Sequence, residues 1–538
     1  MSDWDDGDEL RAPKRDDEPA DMGDPGPEPP GLLEPGGPDG DTPDDLDLAR
    51  LLRNDMGNGE RLVHRHGADL IHTDGIGWLC WNGEIWEADG GDAAARRRAH
   101  QTARAIFREG RAAELSGDFK KPHIDALYKH AATSGNAGRL SAMLGEAAPY
   151  LRRASDALDP DPDLLCVENG TLGLGTQIES ADGRSATGGV VLQPFQRRDL
   201  ISRQAPVKYD SDMGCAEFLR FLGRIQPDPA IQGFLQRFFG YCLTGHIGEQ
   251  IVLLMYGRGA NGKSTLLNIL RLVLGNYCLT LAFSSLTHDE RRRGSEATPD
   301  TVRLPGVRLA MASEPELGQR LSESMLKSQT GGEPMTARQL QKPFFEFMPT
   351  HKLVLSFNNR PRVSAQDEGT WRRLVMVPFE VTIPKAERKG DDYPKQIVAA
   401  EGPGILNWLL DGWRLWREQG LQPPEAVTAA TAEYRSESDP LADFLAACVE
   451  EKRNAYVTAT MLYAAYQAWS RANGVEAINL TRFGRILRER GFHKMKSGVM
   501  TYLDIDLTAT GQEMLRGGRS DGGGGDPDDD PGDTEQRG

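Results

Sequence analysis

The sequence predicts an α/β chain: a nucleotide-binding core of the P-loop type with a parallel sheet, a small α+β domain before it, a winged-helix unit after it, and disordered acidic termini. Three observations predict this. Residues 251–275 pass from an apolar run (IVLLMY) through a glycine loop (GRGANGKS) to an amphipathic helix (TLLNILRLVLG). Further apolar strand-length runs follow at 306–316, 352–359 and 369–379. Residues 441–507 then form a compact basic stretch of helical pattern closing on β-like residues. The expected boundaries are an acidic tail at 1–45, the α+β domain at 46–210, the core at 211–385, a helical linker at 386–437, the winged-helix unit at 438–507 and a second acidic tail at 508–538.

The first tail is Asp, Pro and Gly with few large apolar residues, so it cannot bury enough surface to offset ordering entropy. The tails also explain the net charge of −17. Residues 1–50 hold 17 acidic and 4 basic side chains, and residues 510–538 hold 8 and 3, which leaves the body at +1. An acidic chain total therefore does not exclude a nucleic-acid partner. Cys80, Cys166, Cys215, Cys242, Cys278 and Cys448 make no CxxC pair, which argues against a zinc site or a disulfide framework. No signal peptide opens the chain, and no apolar run reaches membrane-spanning length. A cytoplasmic protein of a bacterial or archaeal host, or of its phage, is expected.

After the tail, DLDLARLLRNDM reads as a short helix. Residues 61–89 carry β-like pieces with Trp78, Trp81 and Trp86, and Asn82-Gly83 marks a hairpin. The tryptophans are expected to form a small aromatic core rather than a base-stacking platform. Residues 92–155 have helical spacing, and 159–176 read as turn, strand, turn, strand. Asp159, Asp161 and Asp163 alternate with prolines, as a polar turn does, not a metal site. Residues 215–250 are again helical.

The glycine loop fits G-x-x-x-x-G-K-[ST] through Gly257, Gly262, Lys263 and Ser264. Glycines let successive N–H groups curl round an anion, and the helix N-terminus adds positive potential. Lys263 is placed for β- and γ-phosphate oxygens, and the Ser264 hydroxyl for Mg²⁺. GxGxxG is also spelled, by Gly257, Gly259 and Gly262, but Lys263-Ser264 have no role in a dinucleotide turn. Hydrolysis needs an acid at a neighbouring strand tip, and GVRLAMASEPE supplies Glu314 and Glu316. The strand KLVLSFNN ends in Asn358, where an amide can reach the γ-phosphate or the attacking water. MTARQLQKPFFEF reads as two β-stretches about a basic turn with Arg338 and Lys342, and GTWRRLVMVPF presents Arg372 and Arg373 before another strand. In the last unit Arg482, Arg485, Arg488, Lys494 and Lys496 form a basic cluster, read as helix, helix, helix and a β-wing that meets DNA phosphates.

In this order GRGANGKST, ASEPE, TGGEPMTAR, FNNRP and WRRLVMVPF resemble superfamily 3 helicases, nearest the phage/plasmid primase-helicase family and its poxvirus-type replication branch. GWLCWNGEIWE, LLCVENGTLGL and FLQRFFGYCLTG resemble the segment before the ATPase in that family, so the likeness runs from about 61 to about 505. The resemblance implies an AAA+-like core that uses ATP and Mg²⁺. Gly257, Arg258, Gly259, Ala260, Asn261, Gly262, Lys263, Ser264 and Thr265 become the nucleotide loop, with Ser264 and Glu314 at the metal. Glu314 and Glu316 become the metal and water acids, Asn358 the sensor, and Arg372 or Arg373 a finger supplied in trans. Arg338 and Lys342 become a strand-gripping hairpin in the channel of a homo-hexameric ring that walks on single-stranded DNA and opens duplex. The implied function is an ATP-dependent DNA helicase in replication of a phage, plasmid or integrated element, with a primase or polymerase as partner. The alternative is an ATP-switched initiator or loader that binds DNA without processive unwinding. Many relatives carry a primase-polymerase domain of a few hundred residues, whereas about 60 residues precede the likeness here, so priming is not expected of this chain.

Overall fold

The computed structural model describes residues 44–520 apart from 180–184, 287–299, 314–320, 339–341, 362, 364–367, 440, 476 and 498. The expectations for 1–43 and 521–538, and for Glu314 and Glu316, lie outside the described residues. The chain divides into two units, one of residues up to 72 plus 90–152 and the other of 73–89 plus 153 onward. The early domain expected over 46–210 is thus divided near residue 152. The apolar strands after that point pack with the sheet core, which sequence spacing alone does not reveal.

The first unit is helical. After a short helical turn at Asp45–Leu48, its longer helices are α1 (Asp55–His66), α2 (Gly91–Ser116), α3 (Lys121–Ser134) and α4 (Ala137–Ala147). Asn54 caps α1 by accepting from the Gly57 N–H at 2.9 Å. On α2 the inward face is Ala95, Ala99, Thr102, Ala103, Ile106 and Ala113. Small residues at helical spacing let neighbours approach closely. Arg61 is fully buried and pairs with Glu109 at 2.7 Å, while its other donors meet the Leu48, Leu51, Leu52 and Gly57 carbonyls. A buried charge so fully partnered escapes most of its desolvation penalty.

The second unit opens with the hairpin β1 (Gly77–Trp81) and β2 (Trp86–Glu87), as the Asn82-Gly83 turn predicts. Trp78 and Trp86 are buried and Trp81 is half-buried, in keeping with an aromatic core. Strands β3 (Leu164–Val167), β4 (Gly170–Glu179) and β5 (Ser185–Gln193) form an antiparallel sheet. Helices α5 (Ala216–Ile225) and α6 (Pro229–Tyr241) lead into the core.

That core is a five-stranded, wholly parallel sheet. Its strands in chain order are β6 (Val252–Tyr256), β7 (Cys278–Thr280), β8 (Leu309–Ser313), β11 (Lys352–Phe357) and β12 (Leu374–Pro378), and between them lies the antiparallel pair β9 (Met335–Arg338) and β10 (Phe344–Phe347). The spatial order is β12-β6-β11-β8-β7. Each strand is apolar on both faces because helices and loops cover both sides. The register aligns the carboxyl ends: Phe357 pairs with Tyr256, and Ser313 with Ser356. The residues that follow β6 and β11 therefore meet at one edge, where open α/β sheets bind ligands.

The stretch expected as a linker, 386–437, is instead part of this core. Helix α7 (Lys263–Leu274) follows the glycine loop, and helix α8 (Tyr393–Gln419) packs on α6 and α7 with Leu406, Leu409, Leu410 and Trp413 buried. A Cβ on Gly240 would stand 2.1 Å from the Trp413 nitrogen, and one on Gly412 1.9 Å from the Gln236 carbonyl oxygen. The two backbones touch because both residues are glycine. Helix α9 (Glu425–Glu437) lies on β12. Pro403 and the glycines of α8 interrupt the sequence pattern, and the buried apolar face overrides them.

The last unit has its own core, including Phe444, Tyr466, Trp469, Phe483 and Tyr502. Its order is α10 (Ala442–Cys448), β13 (Val449–Thr458), α11 (Ala459–Ala472), α12 (Leu480–Glu489), β14 (Lys494–Ser497), β15 (Val499–Leu507) and α13 (Ala509–Ser520). Two features correct the expectation. VEEKRNAYVT is a strand paired with β15, and its ladder is broken where Asn454 and Asp504 take positive φ, which hides the period-2 pattern. Residues 509–520, expected as tail, are a helix whose Met514 and Leu515 pack on this core.

Candidate functional site

The glycine loop runs from the end of β6 to the start of α7, and its residue types are set by space. A Cβ on Gly257 would fall 2.2 Å from the Phe379 carbonyl oxygen and 2.3 Å from Asn261 Nδ2. Gly262 has φ +80°, and a Cβ there would fall 2.4 Å from Ile225 Cγ2. Ala260 holds a positive φ of 50°, a strain of about 1 kcal/mol for an alanine. Its carbonyl accepts from the Ile383 N–H at 2.7 Å, and Asn261 Nδ2 donates to the Phe379 carbonyl at 3.2 Å. The loop is therefore pinned to the chain that follows β12. Arg258 is exposed, as is Ser264 at the first turn of α7, and Thr265 is half-buried.

Lys263 is the centre of the site. Its side chain lies inside the loop, 3% exposed, and its ammonium donates to the Gly257 carbonyl at 2.8 Å, Asn261 Oδ1 at 3.1 Å and Asn358 Oδ1 at 3.3 Å. All three acceptors are neutral. Burial pulls the Lys263 pKa down to about 8. A buried cation with dipoles and, among the described residues, no carboxylate paired to it, at the N-terminus of a helix, is a fitting receptor for an anion. The donor set also fits a metal–triphosphate pair, with the Ser264 hydroxyl able to ligate Mg²⁺ beside the phosphates. Among the described residues no group of three or more His, Cys, Asp or Glu is arranged to hold a metal by itself.

Asn358 arrives from the tip of β11, and the chain after it is held from the other side. Arg360 lies over the Tyr256 ring at 4.5 Å and pairs with Glu433 at 3.5 Å and with Glu437 on α9. The Tyr434 hydroxyl donates to the Pro361 carbonyl. Sequence reasoning missed Arg360, Tyr434 and the Phe379 carbonyl as supports of the site. Each acts across a long chain separation with no local signature.

The other expected residues are separated. Arg372 is exposed, whereas Arg373 is 8% exposed and donates to the Gly369 carbonyl at 3.3 Å. On the β9–β10 hairpin, Arg338 stacks on the Phe344 ring at 4.8 Å, and the Lys342 ammonium donates to the Ile76 carbonyl at 2.6 Å. In the last unit α12 buries Phe483, Ile486 and Leu487 and exposes Arg485 and Arg488, with Arg482 half-buried. Asn479 caps it through the Arg482 N–H at 2.9 Å. Lys494 lies over the Tyr502 ring at 5.3 Å, and Lys496 sits on β14 opposite Met500.

Three family models match the chain: D5 N terminal like over residues 59–227, a family of unknown function over 255–373, and Poxvirus D5 protein-like over 436–497. The chain is 32% identical over 240 residues to "Putative helicase L207/L206" of Acanthamoeba polyphaga mimivirus, covering 42% of this chain and 25% of that protein. It is 28% identical over 275 residues to "Putative helicase 022R" of Frog virus 3, covering 48% and 28%. It is 26% identical over 340 residues to "Putative primase C962R" of African swine fever virus, covering 59% and 34%. The matched part thus spans about a quarter to a third of these relatives. Together the matches support a D5-like primase-helicase family. Among solved structures, the apo C-terminal region of NrS-1 aligns over 55% of this chain and 77% of that one, at 12% identity and a TM-score of 0.37.

Proposed function

We propose that this chain is an ATP-dependent DNA helicase of the superfamily 3 type, in which ATP bound at the glycine loop is hydrolysed to move DNA. The observation that carries the reading is the meeting of Lys263 and Asn358 at the carboxyl edge of the parallel sheet, 3.3 Å apart. That is where a γ-phosphate would need both a cation and an amide.

In this reading the loop N–H groups and the α7 N-terminus hold the phosphates. Lys263 leaves its neutral carbonyl partners for the β- and γ-phosphate oxygens, and its pKa rises as it gains an anion. Ser264 and Glu314 would hold a Mg²⁺ ion, which would supply charge neutralisation for the phosphates. Glu316 or Glu314 orients the attacking water, and Asn358 reports the γ-phosphate to β11. Arg372, the exposed member of the pair, reaches the nucleotide of a neighbouring subunit in a homo-hexamer. Arg373 is the structural member. The last unit is a winged helix that meets DNA through Arg482, Arg485, Arg488, Lys494 and Lys496, and the β9–β10 hairpin lies towards the channel.

Strand displacement on a tailed duplex tests the whole reading. ATP-driven displacement that is lost in Lys263→Ala is expected. Turnover stimulated by single strands with no displacement would instead identify an initiator or loader.

A further inference from the structure

Helix α2 carries a feature that the sheet and the last unit do not use. Arg97, Arg104, Arg108 and Arg111 are all exposed. At about 100° per residue they fall within an arc of about 60°, opposite the Ala95–Ala99–Ile106–Ala113 core face, and they span about 21 Å of helix. The acids of α2 are Asp92 at its start, Glu109, which is buried, and Glu114, which sits near the Tyr128 hydroxyl rather than in the arginine row. Among the described residues no ion pair reaches Arg97, Arg104 or Arg111, and Arg108 has only Asp45 at 3.4 Å. Exposed helix faces usually alternate sign, and like charges three and four apart destabilise a helix by a few tenths of a kcal/mol per pair. A row of arginines that repel one another is relieved by an external anion.

Two further observations point to a ligand. A concavity of about 880 Å³ lies beside the row, lined by Arg65, His66, Gln101, Arg104 and Arg108 together with Asp44 and Asp45. Arg65 there has a side chain only 8% exposed; its Nη2 pairs with Asp45 and Glu109, but its Nε has no hydrogen-bond partner among the described residues. Phe107, on the flank of the row, is 47% exposed, with its ring 6.4 Å from that of Tyr128. Arginines that track a backbone beside an exposed aromatic ring are the elements of single-strand binding, because only an unpaired base offers its face for stacking.

We propose that the outer face of α2 is a single-stranded nucleic-acid binding surface, with Arg97, Arg104, Arg108 and Arg111 on phosphates and Phe107 stacked on a base. This surface lies outside the proposed ATPase core and winged-helix unit, and it is separable from the helicase reading.

The test is fluorescence anisotropy of a labelled oligothymidylate with the full chain across a salt series. The quadruple variant R97Q/R104Q/R108Q/R111Q is expected to bind at least tenfold more weakly. Its dependence of log affinity on log salt is expected to fall by about 0.7 for each phosphate no longer neutralised. The quadruple Arg→Lys variant is expected to keep most of the affinity, and Phe107→Ala to weaken binding severalfold without changing the salt slope. Far-UV circular dichroism and a melting curve like those of wild type confirm that the variants are folded, whether or not the chain turns over ATP. Equal affinity and slope in wild type and the Gln variant would overturn the proposal and leave the ATPase reading standing. A chain that hydrolyses no ATP but loses oligonucleotide binding with the Gln variant would overturn the helicase reading and support this one.

Discussion

The ammonium nitrogen of Lys263 stands 3.3 Å from the amide oxygen of Asn358, across 95 residues of sequence. Lys263 belongs to the turn after β6, and Asn358 to the turn after β11. They meet because β6 and β11 are hydrogen-bonded parallel neighbours with Tyr256 level with Phe357. In the proposed function this pairing links the residue that would grip phosphate to the strand that would sense it.

Lys263→Ala is expected to lower ATP turnover by at least a hundredfold, the usual scale for removing a charge that stabilises a transition state. The exposed basic surfaces are untouched, so DNA affinity without nucleotide is expected to stay within about twofold of wild type. Steady-state phosphate release and anisotropy on the same preparation check both.

Asn358→Asp places a carboxylate beside the Lys263 ammonium. The new ion pair neutralises the cation that a triphosphate would otherwise meet, so ATP affinity is expected to fall at least tenfold. Asn358→Ala, which only removes the amide, is expected to lower turnover more than affinity. Titration with a fluorescent ATP analogue separates the two.

The depressed pKa of Lys263 has a pH signature. Between about 8 and the unfolded value near 10.5, the unfolded chain holds more protons at this residue than the folded one does. Its contribution to stability therefore rises with pH across that window, and below about pH 8, where both states are protonated, the buried charge opposes folding in full. Nucleotide has the opposite preference, since phosphate favours the charged amine. ATP binding is therefore expected to weaken as pH rises through about 8 and to take up a proton near pH 8.5. Calorimetry in two buffers of different ionisation enthalpy measures that uptake.

Gly240→Ala is expected to destabilise the protein by about 2 kcal/mol or more, because the added methyl meets the Trp413 backbone nitrogen at 2.1 Å and one helix must move. Gly214→Ala, where a Cβ has open space, serves as the control. Denaturant midpoints measure both. A null effect at Gly240 would mean that α8 does not pack on α6 as described.

Arg485→Gln with Arg488→Gln is expected to weaken duplex binding and to reduce its salt slope by about 0.9 for each phosphate no longer neutralised. The two side chains are exposed on the polar face of α12, so the melting temperature is expected to be unchanged. Anisotropy at several salt concentrations, with a melting curve, checks both.

Much of the site was legible because its signals are local. A glycine loop needs glycines where a Cβ would strike Phe379 or Ile225, and the loop pattern puts Lys263 at the helix start. Those demands fall within one strand–turn–helix and leave a pattern. The Asn82-Gly83 hairpin is equally local. The supports of the site were not legible: Arg360 reaches Glu433 and Glu437, and Asn261 reaches the Phe379 carbonyl, across more than 70 residues each. The pair Arg372-Arg373 looks alike in sequence, yet one is exposed and the other buried, because adjacent positions entering a strand face opposite sides.

By itself, then, the sequence determined the chemistry on offer at each turn: the glycine loop with its lysine, the basic helix faces, the acidic ends. Tertiary structure alone decided which turns share an edge, that α8 belongs to the core rather than to a linker, and that Arg373 is buried while Arg372 is exposed. The reason is physical. Backbone and charge requirements act over a few neighbouring residues and so leave marks in order, whereas burial is a property of surfaces brought together from distant parts of the chain.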